Sequence, residues 1–407
     1  MDERTGAVTP TIALRHLAAI NPATPEFDAL PTDAEVLFLP LETVWSDDRA
    51  DQTRRAPRSA VGVGYTRFRA GDTVCPKVTP TFQAGRSMRA ESVGAGTTEL
   101  HVLRPRPGVD PRWVTYAVRS KHFLDEGVTA FQGVAGLQRV PPEFVANFRV
   151  VDVSEEEQRR IADFLDDRIV RIDQIIAARR RQHELMVEAF RSHVEVTLRT
   201  LPRIPVRYLA REILVGIVIQ PSKLYTDDEV GVPALRGLNV REGRISRGEL
   251  VRITLAGHQE NPRSRLHTGD VVVVRTGDAG TAAVVPEDCD DWNCIDLVII
   301  RPAQDVSAHF LEIALNSAKH QASVAAASSG AMQQHFGVSA LGGLLVPHST
   351  KAAEMAASLA ADRMRTWQRL EELATSVSLL QEHKQSLITA AVTGELDVST
   401  AGSRMPG

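Results

Sequence analysis

Ser154-Glu-Glu-Glu-Gln-Arg-Arg-Ile-Ala-Asp-Phe-Leu-Asp-Asp-Arg-Ile-Val-Arg-Ile-Asp-Gln-Ile-Ile176 is the stretch on which the fold turns. Ser154 and Glu157 have the spacing of a capping box, in which the hydroxyl accepts from the Glu157 amide and the carboxylate reaches back. Three acids in the first turn also suit the positive end of a helix dipole. From there to about Arg199 the chain has no Pro or Gly, and Pro202 and Pro205 end the helix. Leu165, Ile169, Ile172, Ile176, Met186 and Phe190 form one stripe at 3-4 spacing, interrupted by Arg179 and His183. A helix of about 45 residues, at ~1.5 Å each, is a rod of roughly 68 Å.

A second helix is expected from about Lys351 to Thr393, with Gly394 as its stop. Its stripe is Leu370, Leu373, Val377, Leu380, Leu387 and Ala391, with Lys384 as the polar interruption. Stripes of this kind on two long helices predict a coiled coil. The first helix leads away from one globular part and the second leaves the other, so they pair by running antiparallel.

The chain also repeats itself. Arg67-Phe-Arg-Ala-Gly-Asp-Thr-Val74 matches Arg265-Leu-His-Thr-Gly-Asp-Val-Val272, and Phe164-Leu-Asp-Asp-Arg-Ile169 matches Leu359-Ala-Ala-Asp-Arg-Met364. The two offsets differ by only three residues, which points to a tandem duplication. Each half opens with extended segments, Glu35-Val-Leu-Phe-Leu-Pro40 and Gly231-Val-Pro-Ala-Leu235. Each then passes through a Gly-Asp turn into a strand, most clearly Asp270-Val-Val-Val-Val-Arg275. Phe310-Leu-Glu-Ile-Ala-Leu315 reads as helical. The fold class expected is mixed α/β, duplicated, with two long antiparallel coiled-coil helices. Its parts are globular residues 1–153, a helix over 154–200, globular residues 201–349, a helix over 350–396, and a flexible tail, 397–407.

Composition narrows the function. Of the 407 residues, 47 are Lys or Arg and 51 Asp or Glu, for a net charge of −4. This is no basic blanket of the kind that nonspecific DNA binders carry. Any DNA binding must rest on local clusters or on a partner. Arginine dominates the cations, which suits bidentate contacts to guanine or phosphate and equally suits a GC-rich genome. Cys75, Cys289 and Cys294 are too few and scattered for a disulfide framework. Met1-Asp2-Glu3-Arg4 does not begin a secretory signal, and no apolar run is long enough to span a bilayer, so a cytoplasmic location is expected. No Gly-Lys pair exists for a P-loop, and no GxGxxG, HExxH, GxSxG or Asn-Pro-Pro motif is present. The one Glu-x-Lys, Glu382-His-Lys384, lies inside the second helix without an acidic partner. Catalysis and a metal site have no candidate residues.

Glu156-Glu-Gln-Arg-Arg-Ile-Ala-Asp-Phe-Leu-Asp166, with Arg171-Ile-Asp-Gln-Ile-Ile176, resembles the central spacer helix of type I restriction-modification specificity (S) subunits. Ser386-Leu-Ile-Thr-Ala-Ala-Val-Thr-Gly-Glu-Leu396 resembles their C-terminal signature. Gly71-Asp-Thr-Val-Cys-Pro-Lys-Val-Thr-Pro80, Val232-Pro-Ala-Leu-Arg-Gly-Leu-Asn-Val240 and Gly269-Asp-Val-Val-Val-Val-Arg-Thr-Gly-Asp-Ala-Gly280 resemble their target-recognition domains. The second helix begins Thr350-Lys-Ala-Ala-Glu354 and lacks the Glu-Gln-Arg motif of the first.

The resemblance implies a non-catalytic subunit bound to double-stranded DNA, each globular domain reading half of a gapped asymmetric site and the coiled coil setting the gap. Two methyltransferase (M) subunits carrying S-adenosylmethionine would dock on the spacer, and a restriction (R) translocase-nuclease subunit using ATP and Mg can join. No cofactor and no membrane contact is expected of this chain. The signatures place partner-docking candidates at Gln158, Arg159, Arg160, Leu387, Thr389 and Thr393.

DNA-contact candidates follow the strands, where turns suit groove and phosphate contacts. They are Lys77, Thr79, Gln83, Arg86 and Arg89 in the first half, and Arg275, Thr276, Gly277 and Gly280 in the second. Ser329, Gln333 and Gln334, flanked by Ser328 and His335, add a polar run. Residue by residue, each also fits an ordinary solvated loop. The alternative reading of the whole chain is a non-DNA coiled-coil adaptor that holds protein partners.

Overall fold

A computed structural model describes residues 10–47, 49–133, 138–320 and 337–396. In the first half, β1 (Thr11–Ala13) pairs with β10 (Arg149–Val151) at the base of the globular part. Strands β2 (Ala18–Ile20), β6 (Thr73–Pro76), β7 (Met88–Arg89) and β9 (Leu100–Pro105) form an antiparallel sheet in the order β2-β9-β6-β7. A second sheet has the order β4-β3-β8-β5, from β3 (Glu35–Leu39), β4 (Arg55–Pro57), β5 (Thr66–Phe68) and β8 (Gly94–Gly96). Within it β3 and β8 run parallel. Helices α1 (Pro111–Arg119), α2 (Lys121–Thr129) and α3 (Pro142–Asn147) follow, and then the long α4 (Glu155–Arg199).

The second half repeats the plan. β11 (Arg203–Pro205) pairs with β22 (Leu345–Pro347), as β1 pairs with β10. Strands β12 (Ala210–Val215), β18 (Val271–Val274), β19 (Ala282–Val284) and β21 (Leu297–Pro302) form the order β12-β21-β18-β19, again antiparallel. The other sheet joins β13 (Tyr225–Thr226), β14 (Val232–Leu235), β17 (Val251–Ile253) and β20 (Asn293–Cys294), with β14 and β20 parallel. A hairpin of β15 (Val240–Arg241) and β16 (Arg244–Ile245) is extra. Helices α5 (Ala308–His320) and α6 (Val338–Gly343) precede the long α7 (Ala352–Thr393).

The Gly-Asp motif found in the sequence is the same device twice. Gly71 and Gly269 have φ of +85° and +87°, which a Cβ would make costly. Asp72 Oδ2 accepts from the Arg69 amide at 2.9 Å, and Asp270 Oδ2 from the His267 amide at 2.9 Å. Each carboxylate then meets an arginine on the neighbouring strand: Asp72 with Arg104 at 2.8 Å, Asp270 with Arg301 at 3.6 Å. The turn is thus tied both to itself and to the central strand of its sheet.

Both long helices form as the sequence predicts, within a residue of the expected ends, and Gly394 at φ +79° stops the second. Only half of the capping box is made. Glu157 N donates to Ser154 Oγ at 3.2 Å, but the Glu157 carboxylate pairs with Arg160 one turn on instead of reaching back. The chain divides into two compact units, 1–181 with 373–407, and 182–372, so each unit takes part of both long helices. The tail, 397–407, lies outside the described residues.

In the first unit, Ile161, Ala162, Leu165 and Ile169 of α4 share a core with Ile388, Ala391 and Val392 of α7. Trp113, Val114 and Ala117 of α1 and Phe123 of α2 belong to the same core. Asp173 accepts from Lys384 Nζ at 2.7 Å, so the polar interruption in the second stripe is matched by an acid on the first helix. In the second unit, Phe190, Val194 and Leu198 pack with Ala356 and Leu359, and Phe190 meets the Trp367 ring edge-on at 5.2 Å. Within each unit the two helices run antiparallel. The outer ends of the stripes thus bury in the globular cores, while Asp173 with Lys384 and Phe190 with Trp367 join helix to helix within each unit.

Candidate nucleic-acid interface

The loop that leaves β6 is anchored by apolar and backbone contacts. Phe82 is buried, with its ring 5.6 Å from Phe123 and 5.7 Å from Phe131. Thr79 N donates to Gln138 O, and the Lys77 backbone bonds to Glu99 and Val140. This leaves Gln83 and Arg89 exposed and Lys77, Thr79 and Arg86 half-buried. Lys77 stands by Glu99, whose carboxyl is held below its usual range chiefly by hydrogen bonds from Arg139, with Lys77 adding a smaller share.

Arg89 lies opposite Thr73, at the other end of β6 from Lys77. The structure therefore splits the first-half candidates into two groups. Lys77 and Thr79 gather with Glu99 and Arg139. Arg86 and Arg89 gather with a segment that sequence reasoning missed: Trp45, Asp47, Arg49 and Gln52. Gln52 Nε2 donates to Arg89 O at 3.1 Å and its Oε1 accepts from Glu91 N at 3.0 Å, which docks that segment on β7. Arg86 Cζ lies 3.4 Å from the Trp45 ring centroid and Arg49 Cζ lies 3.5 Å from it. Guanidiniums that close to one centroid fit only on opposite faces. Such a stack contributes about 0.5–2 kcal/mol per cation. Burial and the neighbouring Arg49 push Arg86 below its ordinary pKa. The available signal was Trp45 itself, one of four tryptophans, set among acids and arginine in a loop.

The second-half loop joins β18 to β19. Gly277 and Gly280 have φ of +84° and +88°, and Gly280 N donates to Val274 O at 2.9 Å. Arg275 Nη1 donates to Asp296 Oδ1 at 2.9 Å and Thr276 Oγ1 to Asp296 Oδ2 at 3.0 Å. Two of the loop's side-chain donors are thus taken up by one carboxylate within the chain. Lys77 and Arg275 each follow the strand after a Gly-Asp turn, and Glu99 and Asp296 each precede the strand paired with it. The duplication therefore places a cation beside a carboxylate at the same point in both halves. Ser329, Gln333 and Gln334 lie outside the described residues.

The two helix signatures come together in the first unit. Gln158 is 3% exposed, and its amide is spent inside the chain, accepting from Asp110 N and donating to Val153 O. Arg159 and Arg160 are exposed and paired with Glu155 and Glu157. Leu387 packs against the core. Thr389 Oγ1 accepts from Lys121 N at the start of α2, and the Thr393 hydroxyl donates to Thr389 O.

Cys75, Cys289 and Cys294 are buried thiols, and burial raises Cys75 to about 12. Among the described residues no group of three His, Cys, Asp or Glu is placed to hold a metal, and no helix is long and apolar enough to cross a membrane.

A chain of a type I restriction-modification system, solved in a structure concerned with complex assembly and conformational transition, matches this fold. The TM-score is 0.71 at 14% identity, over 95% of this chain and 98% of that one. The mixed α/β fold with two long helices is therefore shared with a component of such a system. In sequence the chain is similar to two Escherichia coli proteins. It is 30% identical over 196 residues to the type I restriction enzyme EcoEI specificity subunit, a match of 47% of this chain and 32% of that protein. To the EcoAI specificity subunit it is 29% identical over 197 residues, 46% of this chain and 32% of that one. The match spans about a third of the length of these relatives. No family model matches.

Proposed function

We propose that this chain is the DNA-recognition subunit of a type I restriction-modification complex and performs no catalysis itself. The observation that carries the reading is the duplicated domain, whose equivalent strand ends carry Lys77 next to the Glu99–Arg139 pair in one half and Arg275 paired with Asp296 in the other. A repeated recognition module suits a site of two half-sequences, and its polar loops stand on a rigid sheet, where side chains can be held to a groove. The similarity to specificity subunits supports the same reading.

In this reading the first half contacts DNA through Lys77, Thr79, Gln83, Arg86 and Arg89. The second uses Arg275, Thr276 and the close backbone approach at Gly277 and Gly280, together with the polar run of Ser329, Gln333 and Gln334. Arg275 reaches DNA by exchanging Asp296 for a base or phosphate. Two methyltransferase subunits dock along Arg159, Arg160, Leu387, Thr389 and Thr393, with Gln158 holding the helix start in place beneath them. S-adenosylmethionine belongs to those subunits, and ATP with Mg to a restriction subunit when one joins. The near-neutral charge fits a chain whose partners supply much of the phosphate contact.

The test is a module exchange in cells that also carry the methyltransferase subunits. Replacing residues 201–349 by the matching segment of a relative should change one half of the methylated motif and leave the other intact. A methylome in which both halves change, or in which the wild-type chain directs no motif, overturns the reading.

A further inference from the structure

Arg86 differs from the other arginines around the first-half loops in what its guanidinium meets. One face lies on Trp45 at 3.4 Å, and the opposite face of that ring carries Arg49 at 3.5 Å. The ring is itself fixed, because Trp45 Nε1 donates to Glu42 O at 2.9 Å. Arg49 is neutralised: its Nε and Nη2 grip both oxygens of Asp47 at 2.7–3.1 Å. Arg86 has no such acceptor among the described residues. Its Nε is buried and unpartnered, while its terminal nitrogens are neither buried nor hydrogen-bonded. What remains is an end-on pair of donors on a side chain that stacking has already immobilised.

We infer that Arg86, clamped by Trp45 and backed by Arg49, reads the O6/N7 edge of one guanine in the half-site bound by the first domain. This rests on the proposed DNA-recognition role and names the base chemistry within it. An end-on guanidinium matches the two acceptors of guanine in the major groove, a pattern that no other base edge offers. Phosphate contacts need no such fixing, since a mobile Lys or Arg serves them equally. Stacking removes in advance the rotamer entropy that an arginine loses on contact, and this sharpens discrimination between bases. Trp45 and Arg49 are positioning residues. Among the described residues the second unit has no tryptophan between two guanidiniums, so the two halves read by different means even though their folds repeat.

The full chain, with its methyltransferase subunits, is selected against a library of random duplexes at two salt concentrations. The wild type should enrich a gapped motif; failure to enrich any motif would overturn the DNA-recognition reading itself. Arg86→Ala should enrich the same motif with one guanine in one half-site relaxed, with discrimination at that position falling on the order of ten- to a hundredfold. Trp45→Leu keeps Arg86 but frees it, and should relax the same guanine by a smaller factor. Thermal melting of both variants separates this from unfolding, which would depress every position together. An unchanged motif in both variants overturns the inference. So does a loss of binding that is uniform across sequences with a shallower salt dependence, since that marks a phosphate contact.

Discussion

Arg104 Nη2 lies 2.8 Å from Asp72 Oδ2, and the carboxylate it reaches is 1% exposed. The pair ties the Gly-Asp turn to the neighbouring strand, and Asp270 with Arg301 repeats it in the second half. Both turns lie at the start of the strand whose far end carries Lys77 or Arg275. The pair therefore fixes the strand that delivers a recognition candidate.

Arg104→Leu should destabilise the protein by about 3–5 kcal/mol, because it leaves buried Asp72 with only the more distant Arg69 guanidinium, at 4.0 Å, as a cation. Chemical denaturation measures the loss. A change below about 1 kcal/mol would show that Arg69, through its amide and its guanidinium, satisfies the carboxylate.

Arg363 of α7 donates to both oxygens of Glu312 at 2.8 and 2.9 Å, and Glu312 is fully buried. Burial raises the Glu312 pKa, and Arg363 opposes that. Gly243, at φ +70°, leaves the space that the guanidinium occupies. Arg363→Ala should cost about 3–5 kcal/mol at pH 8 and raise the carboxyl pKa further. The folded state then binds the proton more tightly than the unfolded chain, so stability grows as pH falls towards the ordinary carboxylate range. Denaturation midpoints should show a smaller deficit at pH 5 than at pH 8. An equal deficit at both would mean that Glu312 stays charged without its partner.

Ser154→Ala removes the side-chain acceptor of the Glu157 amide at the start of α4. The expected cost is about 1 kcal/mol. Because the reciprocal half of the capping box is not made, Glu157→Ala should cost less than Ser154→Ala. The reverse order, read from denaturant midpoints, would show that the box closes in solution.

Arg275→Ala should weaken binding of the native site by about 1–3 kcal/mol if this arginine pairs with a guanine edge. Binding titrations over a salt series check it. A loss shared by all sequences with a smaller salt slope assigns Arg275 to phosphate. No loss leaves it as the partner of Asp296 only.

Removing one heptad from α4 between Asp173 and Phe190, with one from α7 between Trp367 and Lys384, preserves the 3.5-residue stripe. Each helix shortens by about 10 Å, which is about three base pairs at roughly 3.4 Å each. Any modification that survives should fall on half-sites closer together, as read by methylome sequencing. A stable, active variant that keeps the original gap would place the control of spacing in the methyltransferase subunits.

The long helices, the duplication and the strand after each Gly-Asp turn were legible in the residues because each rests on local patterns: caps, periodicity and a glycine that must take positive φ. The candidate loops were legible as positions but not as chemistry. Arg275 reads as a loop arginine until the fold brings Asp296, just before β21, to within 2.9 Å. Gln158 sits in a signature that reads as a docking face, yet it is buried and spent on Asp110 and Val153. Trp45 carries no periodicity, and it gains meaning only when the turn before β7 brings Arg86 to its face.

By itself, then, the sequence determined the elements and their repetition, since backbone preference and side-chain period act over a few residues and need no partner. The tertiary structure alone decided which cation is neutralised and which is left open. Asp296 grips Arg275, while Arg86, among the described residues, keeps its terminal nitrogens unbonded. That sorting depends on distances of a few ångströms between segments far apart in the chain, where the Coulomb energy and the geometry of a hydrogen bond both change steeply.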